Sequence, residues 1–302
     1  MKYLYFLLFN IFVTVPAFTQ DSTELLKADS FLLKPQNQPL VKDNIAGSDR
    51  NSKKHFSPYH TSFKNEAIII GSSVAVNFLG FQLIKNKKDL TLDELNKKSS
   101  DNLLFIDKGV AGNYSEKADK DSYILFNGSY IYPLAIMLFD KKQRSKFGQL
   151  AALYVETIGI TGSMYTLTAG LVYRSRPFVY GTEAPLEKRL SKGAQRSFYG
   201  GHVATTAALS FFTAKVFSDF HPTSKARPYV WTAAAILPAI MAYERARAGY
   251  HFVSDSMLSY AIGAATGYLV PHLHKNKNLQ NVSLQPAVVG GAQGVSLVYN
   301  FK

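Results

Sequence analysis

The sequence predicts a mainly α protein: a helical bundle of about six core helices, followed by a short C-terminal β-hairpin. Three observations predict it. The chain has 302 residues, 47% of them apolar, which is enough to bury a substantial core. Six apolar segments of helical character recur between residues 67 and 270. After residue 282 the pattern changes to apolar residues alternating with others, as in a strand.

The helical segments fall at 67–84, 123–139, 150–173, 203–217, 229–243 and 256–270. A Lys- and Asp-rich connection, 85–120, separates the first two and carries one short amphipathic helix around 92–98. A basic turn at 141–146 separates the second and third. In the tail, Val282, Leu284 and Val288 alternate, a glycine turn at 290–294 intervenes, and Val295, Leu297, Tyr299 and Phe301 alternate again.

The start of the chain reads differently. Lys2, an apolar run over 3–15, and small residues Ala17 and Thr19 follow the order of a secretory signal, with cleavage near Thr19 or Gln20. The expected organisation is a signal peptide at 1–20, a polar arm or linker at 21–64, a helical domain at 65–275 and a hairpin tail at 276–302.

There is no cysteine, which excludes a disulfide framework, a thiolate metal site and a cysteine nucleophile. The formal charge of +13 suits anionic partners. Charge alone leaves phosphorylated substrates, anionic lipid headgroups and nucleic acid open. With the residue clusters below, the expected partners are a phosphorylated small-molecule or lipid substrate and a membrane surface or bilayer, and no nucleic acid.

Several apolar segments run only 12 to 17 residues before a charge such as Lys215 or Glu244, and Glu156 interrupts the third. A span needs about 20 residues. If all six segments crossed a membrane after signal removal, the loops holding the arginines and histidines would face the cytoplasm. The expectation is therefore an exported protein of the cell envelope, periplasmic or membrane-associated, with a buried helical core that is peripheral or partly inserted. Full membrane integration is the alternative.

Three clusters carry chemistry. Arg174, Arg176 and Pro177 follow the third segment, Gly200, Gly201 and His202 open the fourth, and Arg245, His251 and Asp255 connect the fifth to the sixth. A transferring phosphoryl group spreads negative charge over its equatorial oxygens, so catalysis rests on positioning and electrostatic stabilisation. Arginine forks suit those oxygens, and Arg176 and Arg245 are the expected clamp, with Arg174 assisting. Gly200 and Gly201 allow close approach of an anion to the start of a helix. His251 and Asp255 lie four apart, so on a helical start the carboxylate holds one ring nitrogen and leaves the other free to attack phosphorus. His202 then protonates the leaving oxygen.

Two histidines and one carboxylate also describe some iron sites, but two arginines directed at the same place repel a cation. No metal and no cofactor are expected there. His55, His60, His221, His272 and His274 lack such company and read as surface residues.

These clusters resemble the three signature motifs of the type 2 phosphatidic acid phosphatase and vanadium haloperoxidase superfamily: Arg176-Pro177, the run Ser-Phe-Tyr-Gly-Gly-His at 197–202, and Arg245 with His251 and Asp255. The likeness covers roughly 150–270. It implies an acid phosphatase or haloperoxidase-like helical bundle and, in the phosphatases, a phosphohistidine intermediate without metal. By position His251 is then the nucleophile, Asp255 its orienter, His202 the general acid, and Arg176 and Arg245 the phosphate clamp. Three positions depart from the pattern. The family lysine seven before the motif arginine is Ala169, its Pro-Ser before Gly-His is Tyr199-Gly200, and its serine before the third-motif arginine is Glu244.

The leading expectation is a phosphoric ester hydrolase that acts on a phosphate monoester or diphosphate, lipid-linked because apolar helices flank the site. A catalytically degenerate binding or structural protein of the same fold is the second reading, motivated by the missing lysine and serine. Vanadate-dependent halide oxidation is the third, and the missing lysine counts against it.

Overall fold

The computed structural model describes residues 57–275 and the strands 282–289 and 292–299. The signal segment expected at 1–20 and most of the arm expected at 21–64 lie outside the described residues. The helices in chain order are α1 (Phe63–Lys85), α2 (Leu92–Asn96), α3 (Phe105–Lys108), α4 (Glu116–Phe139), α5 (Lys141–Arg144), α6 (Phe147–Leu171), α7 (Leu186–Leu190), α8 (Gly201–Phe220), α9 (Arg227–Arg247) and α10 (Val253–Leu273). Five of the six apolar segments lie wholly within a long helix; the third, expected at 150–173, overruns α6, which ends at Leu171, and every helix begins before its segment.

The reason is local. Lys215 forms an i,i+4 pair with Asp219 inside α8, and Glu244 pairs with Arg247 at 3.2 Å in the last turn of α9, so neither charge ends its helix. Starts are set by side-chain caps. Ser115 accepts from Ala118 N at 3.2 Å, Asp140 accepts from Lys142 N at 2.8 Å, and Thr91 with Glu94 forms a capping box at the start of α2. The long helices consequently run from 20 residues in α8 to 25 in α6, and length does not keep them from crossing a bilayer.

α8 is the axis, with 15 of its 20 residues buried. It is rich in Ala, Ser and Thr, so its neighbours approach closely. A Cβ at Gly263 would lie 2.2 Å from Ala204 O, and one at Gly267 would lie 2.0 Å from Ala208 O. α10 therefore packs parallel to α8, backbone against backbone. Tyr132 of α4 bonds Ser210 of α8 at 2.7 Å, while aromatic residues near the start of α4 meet His202. A cluster of Leu150, Leu153, Tyr154, Leu209, Phe212 and Val216 fills the space between α6 and α8.

α1 packs along α6 through small and polar residues. Gly80 faces Thr166, Gly159 faces Ser73, and Asn77 donates to Gly159 O at 3.1 Å and Ser163 Oγ at 2.8 Å. The buried residues of α1 are Glu66, Ser73 and Gly80, seven apart, while Ile68, Val74, Phe78, Leu79 and Phe81 face outward. Water selects the opposite arrangement. Small or polar residues inward and large apolar residues outward is the pattern of helices packed in lipid. α1 and α4 are long and apolar enough to cross a membrane.

β1 (Val282–Val289) and β2 (Ala292–Tyr299) pair antiparallel, Val282 opposite Tyr299 and Val289 opposite Ala292. Gly294, expected in the turn, lies within β2 opposite Ala287.

Gly267→Ala should lower stability by roughly 1–3 kcal/mol, because its methyl group forces two backbones apart. Gly71, whose added Cβ would meet nothing within 4 Å, should tolerate alanine with a gain of up to about 1 kcal/mol from helix propensity. Thermal unfolding of the two purified variants beside wild type measures both, and equal midpoints would contradict the α8–α10 contact.

Candidate active site

The parallel pairings bring six helix ends together: α1, α6 and α9 finish where α4, α8 and α10 begin. There lie the loops with Arg174, Arg176, Gly200 and His251, and the helix ends with Arg245, Gly201, His202 and Asp255. After α6 the chain is extended, and 174–176 runs beside 194–197. Arg176 N donates to Ala194 O at 2.8 Å and Ser197 N to Arg174 O at 3.0 Å, with a parallel bridge between Arg174 and Arg196. Pro177 bars the preceding residue from the helical region, and Arg176 sits at φ −76°, ψ 155°.

Arg176 is 8% exposed, and among the described residues no carboxylate pairs with it. Its guanidinium lies 4.5 Å from the centre of the Tyr250 ring, and Nε donates to Arg196 O at 3.4 Å. Burial, then the neighbouring Arg196, lowers its pKa to about 10. A buried, unpaired guanidinium is a strong electrostatic demand for an anion.

Arg245 shares Tyr250, with its guanidinium 4.1 Å from the ring centre, but it is already engaged. Its Nη1 donates to Asp119 Oδ1 at 2.6 Å and Ser122 Oγ at 3.0 Å, leaving Nε buried without a partner. Tyr250 donates to the other oxygen of Asp119 at 3.2 Å. The two arginines expected as an open clamp are therefore unequal.

Arg174 differs more. It was expected to assist with the anion, yet it is neutralised by two carboxylates: Nη2 donates to Asp107 at 2.7 Å and Nη1 to Asp255. Its role in this arrangement is to tie loops together.

His251 does not lie on a helix, because α10 begins at Val253, so the expected i,i+4 bond to Asp255 is absent. Its Nδ1 instead meets Ser197 O at 2.6 Å. A carbonyl only accepts, so Nδ1 carries the hydrogen and, in the neutral ring, Nε2 keeps its lone pair. Asp255 acts one step away. It accepts from Ser197 Oγ at 2.6 Å and from Phe252 N at 3.0 Å, fixing the serine whose carbonyl holds the imidazole. Burial, then the charges of Arg245 and Arg176, hold the His251 pKa well below its ordinary value, with the Ser197 carbonyl opposing and His202 adding to the depression.

His202, the second residue of α8, packs on Phe126 with centroids 4.1 Å apart and on the edge of Tyr123, and its Nε2 is buried with no hydrogen-bond partner among the described residues. Gly200 precedes α8, which no side chain caps, and its own N–H donates to Ser259 Oγ at 2.7 Å. A Cβ on Gly200 would stand 3.3 Å from the His251 ring, and one on Gly201 would stand 2.8 Å from the Tyr165 ring. The glycines thus seat two rings and leave the N–H groups of the first turn of α8 available to an anion.

Several residues were not singled out from the sequence. Ser197 stands in the quoted motif and Tyr250 beside His251, but nothing in their spacing marks a carbonyl relay or a shared ring. Asp107 and Asp119 lie in the charged connection 85–120 with no local pattern to separate them from solvated neighbours. Lys87 is buried there too. It donates to Val172 O at 2.6 Å and Gln195 O at 3.0 Å, and burial, then Arg196 and Arg176, lowers its pKa to about 8. Ala169, at the position of the family lysine, is fully buried and brings no charge. Glu244 is turned to Arg247, away from Arg245. His274, expected on the surface, is largely enclosed by Glu66 and Glu156.

No curated protein sequence matches the chain. Among solved structures, it is similar to a transmembrane PAP2 type phosphatidylglycerolphosphate phosphatase from Bacillus subtilis, at 18% identity over 67% of this chain and 94% of that one, with a TM-score of 0.41. Residues 150–279, which hold the Arg174–Arg176 loop, Arg245 at the end of α9, the start of α8 and the His251 turn, match the PAP2 superfamily. It is this segment, 150–279, that is similar to the PAP2 superfamily.

Proposed function

We propose that the protein is a membrane-embedded phosphatase of the cell envelope, hydrolysing a phosphate monoester or diphosphate on a lipid-linked substrate through a phosphohistidine at His251. The observation that carries this reading is Arg176, a buried cation with no carboxylate partner among the described residues, close to an imidazole whose Nδ1 is committed to Ser197. The outward apolar residues of α1 support a bilayer setting. So does an apolar cavity of about 580 Å³ between α9 and α10, lined by Ala239, Ala242, Tyr243, Val253 and Met257, which offers room for a hydrocarbon chain beside the arginine loops.

In the proposed reaction the phosphoryl oxygens bind Arg176 and the first N–H groups of α8. Nε2 of His251 attacks phosphorus, the bond to the leaving oxygen breaks, and His202 gives that oxygen its proton. Water then attacks the phosphohistidine and His202 takes back a proton, so inorganic phosphate leaves and His251 is restored. Lys87 and Arg196 add positive potential from behind Arg176. A second reading, a binding protein that turns over poorly, is favoured by Ala169 at the lysine position and by the engagement of Arg245 with Asp119.

Phosphate release from phosphatidic acid, a polyprenyl diphosphate and a soluble monoester separates the two. Activity should be inhibited by vanadate, should fall to background in His251→Ala, and should drop about 10²–10³-fold in kcat/KM in Arg176→Met. Background release from wild type would instead support the binding reading.

The state of His251 is directly observable by histidine nitrogen NMR. Its ring is cationic below its pKa and neutral above, and because that pKa is held down, the neutral Nδ1–H tautomer should persist through pH 6.5. A titration centred near 6.5 would contradict the buried setting.

Since the chain has no cysteine, single-cysteine labelling can map its two ends. Gly109→Cys at the arginine end and Lys225→Cys at the other should react with an impermeant maleimide from opposite faces of the membrane. Equal labelling from one face would rule out a transmembrane bundle.

A further inference from the structure

We propose that Glu66, Glu156 and His274 form a site for one divalent cation of the zinc class, at the end of the bundle opposite the arginine loops. The residues come from the first turn of α1, the middle of α6 and the cap of α10. His274 Nε2 stands 3.2 Å from Glu66 Oε2 and 3.5 Å from Glu156 Oε2, and one ligand atom from each residue fits within 4.8 Å of the others. Bonds of about 2.0–2.1 Å in a tetrahedron place neighbouring ligand atoms about 3.3–3.4 Å apart, so the two edges from the imidazole already have the size such an ion needs.

The hydrogen-bond pattern points the same way. His274 Nδ1 lies 2.8 Å from Val270 O, so it carries the hydrogen and the neutral ring turns its Nε2 lone pair toward the two carboxylates. With the ring neutral and both carboxylates ionised, three acceptors face one another. Both Oε2 atoms are buried and without a hydrogen-bond partner among the described residues, in side chains that are more than nine-tenths buried. A ring nitrogen that donates to a backbone carbonyl while the other faces carboxylates is the usual setting of a metal-bound histidine. The nearby ammonium groups of Lys215 and Lys275 are both committed to Asp219 and do not fill the role.

One imidazole, two carboxylates and a water in the fourth position suit zinc, whereas magnesium and calcium take six or more oxygens. The site is remote from the phosphate chemistry. Twenty-two residues separate His251 from His274, almost all of them in α10, which spans about 30 Å at 1.5 Å per residue. A bound ion would neutralise two buried carboxylates and join α1, α6 and α10. His274 O also accepts from His60 N at 2.8 Å, so the segment before α1 closes over the same end.

The test uses the full chain purified in detergent, stripped with a chelator and titrated with Zn²⁺. We expect one Zn²⁺ per chain after desalting, a raised thermal midpoint, and with Co²⁺ the intense visible bands of a tetrahedral site. His274→Ala should weaken binding at least tenfold, while His251→Ala should retain the ion. Should His274→Ala fail to fold, Glu66→Gln and Glu156→Gln carry the same comparison. Wild type that retains no Zn²⁺, or variants of these three residues that bind as wild type does, would overturn the proposal.

Discussion

The carboxylate of Asp255 is the point at which the loops of the arginine end are held in register. It receives Arg174 from the segment after α6, Ser197 from the segment before α8 and the backbone of Phe252 at the start of its own helix. Each contact is a charge-assisted or buried hydrogen bond, in the class that contributes most per bond. Ser197 then passes the constraint on, because the residue whose hydroxyl is fixed by Asp255 is the one whose carbonyl orients His251. Removing the carboxylate would release three segments and the imidazole together.

Around that hub the positive charges are graded. Arg174 has two carboxylate partners, Arg245 has one, and Arg176 has none among the described residues. The site therefore keeps its strongest unmet demand for negative charge at a single guanidinium, with the others used to build the walls. Tyr250 links the two inner arginines, carrying both guanidiniums and anchoring its hydroxyl on the aspartate that neutralises one of them. The fold supports this concentration of charge with helices that meet through glycine, alanine and serine, leaving large apolar side chains on the outside.

The six long helices were legible in the sequence because apolar runs of that length have few other solutions. Their true ends were not, since Lys215 and Glu244 look like terminators until their i,i+4 and i,i+3 partners are seen. Arg176, Gly200, His202 and His251 were singled out by residue type and spacing, and the fold brings them to one end of the bundle. What spacing could not show is who pairs with whom. His251 and Asp255 sit four apart, but a helix that begins between them breaks the rule that would join them. Asp107 and Asp119 decide which arginines are free, and they come from a connection whose composition resembles any solvated loop. His274 and Glu156 are 118 positions apart, and only the folded bundle makes them neighbours.

Gly200 shows how a single bare backbone position borders the reactive ring. The space a side chain would take there borders the ring of His251, at 3.3 Å from a built Cβ, and the hydroxyl of Ser259, at 3.2 Å. Restoring a serine would require the imidazole to give way by a few tenths of an ångström, and with it the carbonyl on which it leans. A side chain at position 200 is therefore coupled to the seat of His251. The bare backbone there and the position of the imidazole share one space, so a change at either is felt at the other.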